Sequence, residues 1–168
     1  MLKINSILAG FLNYNLYFCG KFCVTVGMVE SIVALKLVVR VPCAIIEHNG
    51  KVLAGQRSAA LSFPLQWEFP GGKQEENETD EETLVREIRE ELDVEIDIVQ
   101  KLPVTTKDQG WREIILVPFV CNLRSYDITL TEHEQILWLS PEDLPSLDWT
   151  EADLGVIKSY FDYLAGKR

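Results

Sequence analysis

Glu87, Glu90 and Glu91 stand at i, i+3 and i+4, the spacing that gathers three carboxylates within one helical turn. Like charges that close repel, and an acidic run is ordinarily no more than a solvated helix face, turned away from the apolar side. The setting argues for more. Pro70-Gly71-Gly72 lies just upstream, a stretch whose backbone can come close to a ligand, and Arg86 sits within the acid row. Four residues ahead of Glu90, Arg86 can neutralise part of the cluster and hold a glutamate in one rotamer. Hard divalent cations take oxygen ligands, and magnesium in particular combines a few carboxylates with waters and substrate phosphates. A polyphosphate bound there would have its charge offset, its chain oriented and a water made acidic for in-line attack on phosphorus.

A helix must hold these carboxylates. Thr79-x-x-Glu82 spells a capping box at its start, and Leu84, Ile88 and Leu92 form its apolar stripe, so it is predicted to run from Thr79 to about Leu92. Leu37 to Glu47 reads as a strand, then Asn49-Gly50 as a tight hairpin turn and Lys51 to Arg57 as the returning strand. Pro42 lacks a ladder donor, which predicts an edge strand or a bulge. Trp67-Glu68-Phe69 is a short extended segment. Further strands are predicted at Val94 to Leu102, Ile114 to Leu123 and Ile136 to Leu139. A closing helix is expected from about Glu151 to Leu164, capped by Thr150, with Leu154, Ile157, Phe161 and Leu164 on one face.

The chain's 168 residues are 47% hydrophobic, enough for one substantial core. Net charge is -10, and 13 of the 26 acidic residues fall between Glu68 and Asp97, against Lys73, Arg86 and Arg89. Such a region repels a nucleic-acid backbone and argues against a DNA or RNA binder. Cys19, Cys23, Cys43 and Cys121 do not suggest a secreted disulfide framework, and reduced thiols in a cytoplasm are the simpler reading. Residues 1–36 read as an N-terminal extension and 37–168 as the catalytic domain. Lys3 ahead of Ile7 to Leu12 opens like a signal peptide, but Asn13 and Asn15 break the apolar run, and it is too short to span a membrane. Met28 is an alternative start.

From Gly72 to Val94 the stretch resembles the Nudix box, G-x5-E-x7-R-E-U-x-E-E-x-G-U with U apolar, and fills every defining position except one. Asp93 replaces the final glycine, at a left-handed position just past the helix, for a stability cost of about 1 kcal/mol. Within that family the chain is most similar to MutT-like and CTP-pyrophosphohydrolase members, through QWEFPGGK, Gln56-Arg57 and Glu132-His133 ahead of Trp138. The resemblance implies an α+β Nudix fold, a mixed β-sheet sandwiched between helices. It implies hydrolysis of a nucleoside triphosphate to the monophosphate and pyrophosphate with magnesium, manganese being able to substitute. Gly71, Glu87, Glu90, Glu91 and Glu132 are the implied metal site, with Arg86 completing the catalytic group. Arg57, Glu68, Phe69, Pro70, Gly71, Arg112 and Asp153 are the implied substrate contacts, Arg57 with phosphate and Phe69 and Arg112 with the base.

Each has a plainer reading beside it. Arg57 could be solvated, Phe69 could be core and Arg112 could pair with Glu113. Asp153 stands where MutT-like members read a base with asparagine. An ionised aspartate only accepts hydrogen bonds, which suits cytosine's amine, yet Thr150 to Asp153 also spells a capping box for the last helix. A cytidine-type or modified nucleotide is therefore the leading substrate and 8-oxo-dGTP the alternative. A non-catalytic Nudix sensing module would be expected to have lost box glutamates. A monomer and a homodimer are equally compatible with the sequence.

Overall fold

The computed structural model describes residues 23–29, 32–125 and 127–167. Eight strands form one mixed sheet: β1 (Cys23–Val29), β2 (Ile32–His48), β3 (Lys51–Arg57), β4 (Trp67–Glu68), β5 (Ile96–Lys101), β6 (Thr105–Asp108), β7 (Arg112–Leu123) and β8 (His133–Leu139). Its backbone order is β4-β3-β2-β7-β5, with β1 on β2, β6 on β7 and β8 on β3. β2 and β7 run parallel from Leu37↔Arg112 to Glu47↔Asn122, and the other strand pairs are antiparallel.

Side chains alternate along β2, so Cys43 and Ile45 face one side while Ala44 and Ile46 face the other. The second side is covered by α1 (Asp80–Leu92), whose Leu84, Ile88 and Leu92 are fully buried, a contribution of about 1.5–3 kcal/mol for each side chain. The first side is covered by α2 (Asp153–Gly166) through Val156, Ile157 and Tyr160. The sheet is thus sandwiched between helices, as expected.

α1 starts with the expected capping box: Glu82 N donates to Thr79 Oγ1 at 3.2 Å and Thr79 N to Glu82 Oε2 at 2.8 Å. It ends on Asp93 in the left-handed region, φ 54°. Other expectations are corrected. β2 is neither an edge strand nor bulged at Pro42, which pairs in register with Val117. Its other side at that point is a gap between the β1 and β3 pairings, entered by the loop through a Cys43↔Gly71 bridge and an Ala44 N to Pro70 O bond. The proline therefore costs the sheet no ladder bond on that side. Of the expected α2 face, Ile157, Phe161 and Leu164 pack on the core beside Val156 and Tyr160, but Leu154 is 53% exposed. Thr150 does not cap the helix: the residue at the cap is Ala152, without a side-chain bond.

The domain start expected at residue 37 falls inside β2, while the signal-like segment and Cys19 lie outside the described residues. Cys43 and Cys121 are buried free thiols, and no described helix is long and apolar enough to cross a membrane.

Candidate active site

The glutamates of α1 do not share one solvated face. Glu90 has a 57% exposed side chain, Glu87 is at 16%, and Glu91 is buried. The rotation of about 100° per residue carries Glu91 towards the sheet, where the backbone N–H of Gly71 donates to its Oε2 at 3.0 Å. Gly71 can reach it because it has no side chain. At φ 148°, a Cβ would stand 2.2 Å from the Pro42 carbonyl oxygen and 2.7 Å from Cys43 Cα.

Burial is the main cause that pushes the Glu91 carboxyl up to about 9, and Glu68, Glu87 and Glu132 add to it with like charge. Burial also raises Glu87, although Arg86 pulls against it. Arg86 acts as a clamp. Its Nε and Nη2 grip Glu78 at 2.7 and 2.9 Å, while Nη1 reaches Glu87 at 2.9 Å and Glu90 at 3.2 Å. Glu78 in turn accepts from Glu75 N and Thr83 Oγ1, and its carboxyl is held down to about 2, chiefly by Arg86. The glutamate and arginine of the motif thus fasten the loop after Gly72 onto the helix. That role of Glu78 was missed because it lies in three dimensions, one side chain meeting several elements.

Glu132 arrives by a different device. The last carbonyls of a helix have no partner within it. Here Thr129 N donates to Leu92 O at 2.9 Å, Thr131 N to Glu91 O at 3.1 Å, and Thr131 Oγ1 to Glu90 O. The loop that satisfies the end of α1 therefore carries the exposed Glu132 to the glutamates. At the end of β3, Arg57 is ion-paired with Glu68 and bonds Ser62 O at 2.8 Å, so it is not simply solvated.

The remaining sites lie on the other side of the sheet. Alternation along Trp67-Glu68-Phe69 sends Glu68 towards α1 and both aromatics into the α2-side core. The ring of Phe69 packs 4.7 Å from that of Trp149, centroid to centroid, and is enclosed. Asp153 is buried, accepting from Phe69 N at 3.1 Å and Thr150 Oγ1 at 2.5 Å. Burial pushes its carboxyl up to about 7. Arg112 is engaged locally at the start of β7, with Gln109 Oε1 at 2.5 Å and its guanidinium 4.8 Å from the Trp111 ring. The fold therefore brings Arg57, Glu68, Gly71, Glu87, Glu91 and Glu132 into one group, with Glu90 at its exposed border. Phe69, Asp153 and Arg112 are set apart from it, and Pro70 lies at the gap between.

A family model described as the NUDIX domain matches residues 36–160. The chain belongs to the Nudix family. This Nudix chain is 32% identical over 131 residues to the CTP pyrophosphohydrolase of Escherichia coli K12, covering 77% of this chain and 96% of that protein. It is 37% identical over 123 residues to nucleoside triphosphatase NudI of an Enterobacter species, covering 66% and 87%. The solution structure of the E. coli ORF135 protein superposes with a TM-score of 0.69 at 30% identity, covering 83% of this chain and 97% of that one.

Nudix hydrolases generally depend on a divalent metal. Among the described residues no three acidic, histidine or cysteine side chains form a ready-made cage. The donor chemistry nevertheless fits a hard cation: oxygen atoms only, with one carboxyl, Glu91, raised first by burial and then by its acidic neighbours.

Proposed function

We propose that this Nudix hydrolase cleaves nucleoside triphosphates to the monophosphate and pyrophosphate with magnesium. The observation that carries the reading is Glu91, a buried carboxyl pushed up to about 9 in the company of Glu68, Glu87 and Glu132. Gly71, Glu87, Glu90, Glu91 and Glu132 would hold the metal, Glu90 by turning in from the surface. When bound, magnesium would supply positive charge beside the phosphates and make a nearby water more acidic. Arg57 would leave Glu68 for a phosphate oxygen, where its fork of donors is well matched. Arg86 keeps Glu87 in place through the clamp on Glu78. Glu132, the exposed glutamate at the mouth, would accept the proton released by the attacking water and pass it to solvent.

A cytidine-type base is the first choice, in keeping with the name of the E. coli relative. Asp153 gives no preference for cytosine over the alternative, 8-oxo-dGTP. Both its oxygens are engaged by Phe69 N and Thr150 Oγ1, and at about 7 it is partly protonated near neutral pH, so it is not a pure acceptor. The test is a screen of common and oxidised nucleoside triphosphates with magnesium and with manganese, with products resolved. Release of pyrophosphate from the CTP group supports the reading; release of single phosphates, or no triphosphate turnover, refutes it.

A further inference from the structure

His133 opens β8, directly after Glu132. Its side chain is 2% exposed, and neither ring nitrogen has a hydrogen-bond partner. Buried polar atoms are seldom left so, and the strand pairing around the ring shows where its partner lies. Glu68 of β4 is paired with Gly55 of β3, whose other edge carries β8. The β3–β8 register shifts between Gln56↔Gln135 and Arg57↔His133, a bulge of the kind that re-aims a side chain. The His133 ring lies on the bare backbone of Gly55, where a Cβ would stand 2.6 Å from both Cδ2 and Nε2. With no side chain on the middle strand at that point, the ring reaches across it, and Nε2 comes to 3.4 Å from Oε1 of Glu68. The other oxygen of Glu68 is bound by Arg57.

We infer that His133 is a positioning residue for the hydrolysis, reaching across Gly55 to hold Glu68 in the acid group while its strand anchors the loop that carries Glu132. The inference rests on the hydrolase reading above. A phosphate that draws away the Arg57 guanidinium deprives Glu68 of its cation, and a proton carried on Nε2 of His133 is a donor already beside it. Closing to an ordinary hydrogen bond needs a movement of only about 0.4 Å. Glu68 then keeps its place beside Glu91 while Arg57 serves the substrate.

The test compares His133→Leu with His133→Gln in the full chain. Leucine fills the space without a donor, whereas the glutamine amide places an N–H near the position of Nε2. The expected result for His133→Leu is a fall in kcat of about ten- to a hundred-fold, the scale of a hydrogen bond to a charged group, with KM within about two-fold. His133→Gln should recover most of kcat, and in a Glu68→Ala background His133→Leu should add little further loss. Wild-type kcat in His133→Leu, or equal losses of kcat and Tm in both variants, would overturn the inference and leave the ring as packing.

A second measurement does not depend on turnover. The chain has two histidines, so the ring nitrogens of His133 are readily assigned by NMR. The Nε2–H tautomer is expected, with a resonance that moves in Glu68→Ala; spectra identical in the two proteins would refute the contact. A wild-type protein inactive on every triphosphate would overturn the hydrolase reading alone, and the ring spectra would still decide whether His133 holds Glu68.

Discussion

On the α1 side of the sheet, Glu91 is buried among Glu68, Glu87 and Glu132, with the Gly71 N–H as its hydrogen-bond donor. On the α2 side, Asp153 is buried just as deeply, yet donors from Phe69 and Thr150 meet its two oxygens. Burial raises both carboxyls, to about 9 and about 7. What surrounds them differs. A cation would relieve the negative charge around Glu91, so that side is where the proposed function places its ligand. Asp153 is already satisfied by neutral donors and ties β4 to the start of α2, so that side supports the first.

The comparison breaks most readily at Glu91. Glu91→Gln should lower kcat by about 10²- to 10³-fold, the scale seen when one preorganised electrostatic group is lost. The same change should raise the metal-free Tm by removing a buried acid from among like charges. Steady-state kinetics and calorimetry check both, and full turnover would deny the α1 side its role.

Asp153→Asn should act on stability. The folded carboxyl, at about 7, lies above its ordinary 3.8, so its contribution is fully present below 3.8 and is lost as pH rises through 7. Asparagine does not titrate. The variant should match wild type near pH 4 and exceed it at pH 8 by about 2–4 kcal/mol in chemical denaturation. Equal pH profiles would mean that Asp153 is not held in this way.

Magnesium at about a hundred times its Kd should stabilise wild type by about 2.7 kcal/mol, reversibly with chelator, and much less in Glu91→Gln. Asp153→Asn should keep the full increment, which separates the two sides thermodynamically.

The smallest effect concerns Asp80, a satisfied acid at the other end of α1. Arg40 binds it at 2.6 and 2.8 Å and Lys101 at 2.7 Å, and Arg40 first among them holds its carboxyl down to about 2. This contribution is complete above the ordinary 3.8 and is lost as pH falls through about 2. Asp80→Asn should cost about 1–2 kcal/mol at pH 7 and nothing below pH 2, measured by denaturant titration.

Local signals explain what could be read in advance. α1 was legible because a capping box and an i, i+4 stripe are contained in 14 residues, Thr79 to Leu92. β6 was not, because Thr105-Thr106-Lys107-Asp108 is polar and becomes a strand only by pairing with β7. Helical spacing gathered Glu87, Glu90 and Glu91 on one solvated face, yet the sheet makes their exposure unequal. Asp153 posed a choice between base reader and helix cap. The structure shows a third role, a buried acceptor for the backbone N–H of Phe69, 84 positions away.

By itself, the amino-acid order determined the chemistry on offer: oxygen donors at helical spacing, a clamp arginine among them and a glycine loop ahead, all set by local periodicity. Tertiary packing decided which of those groups lose water and which neighbours they then face. Burial of Glu91 depends on the gap beside β2 that admits Gly71, and the reach of His133 to Glu68 depends on a bare Gly55 between two strands. Free energies of charged groups are governed by solvent access and by charges brought close from elsewhere in the chain, which spacing along one helix does not encode.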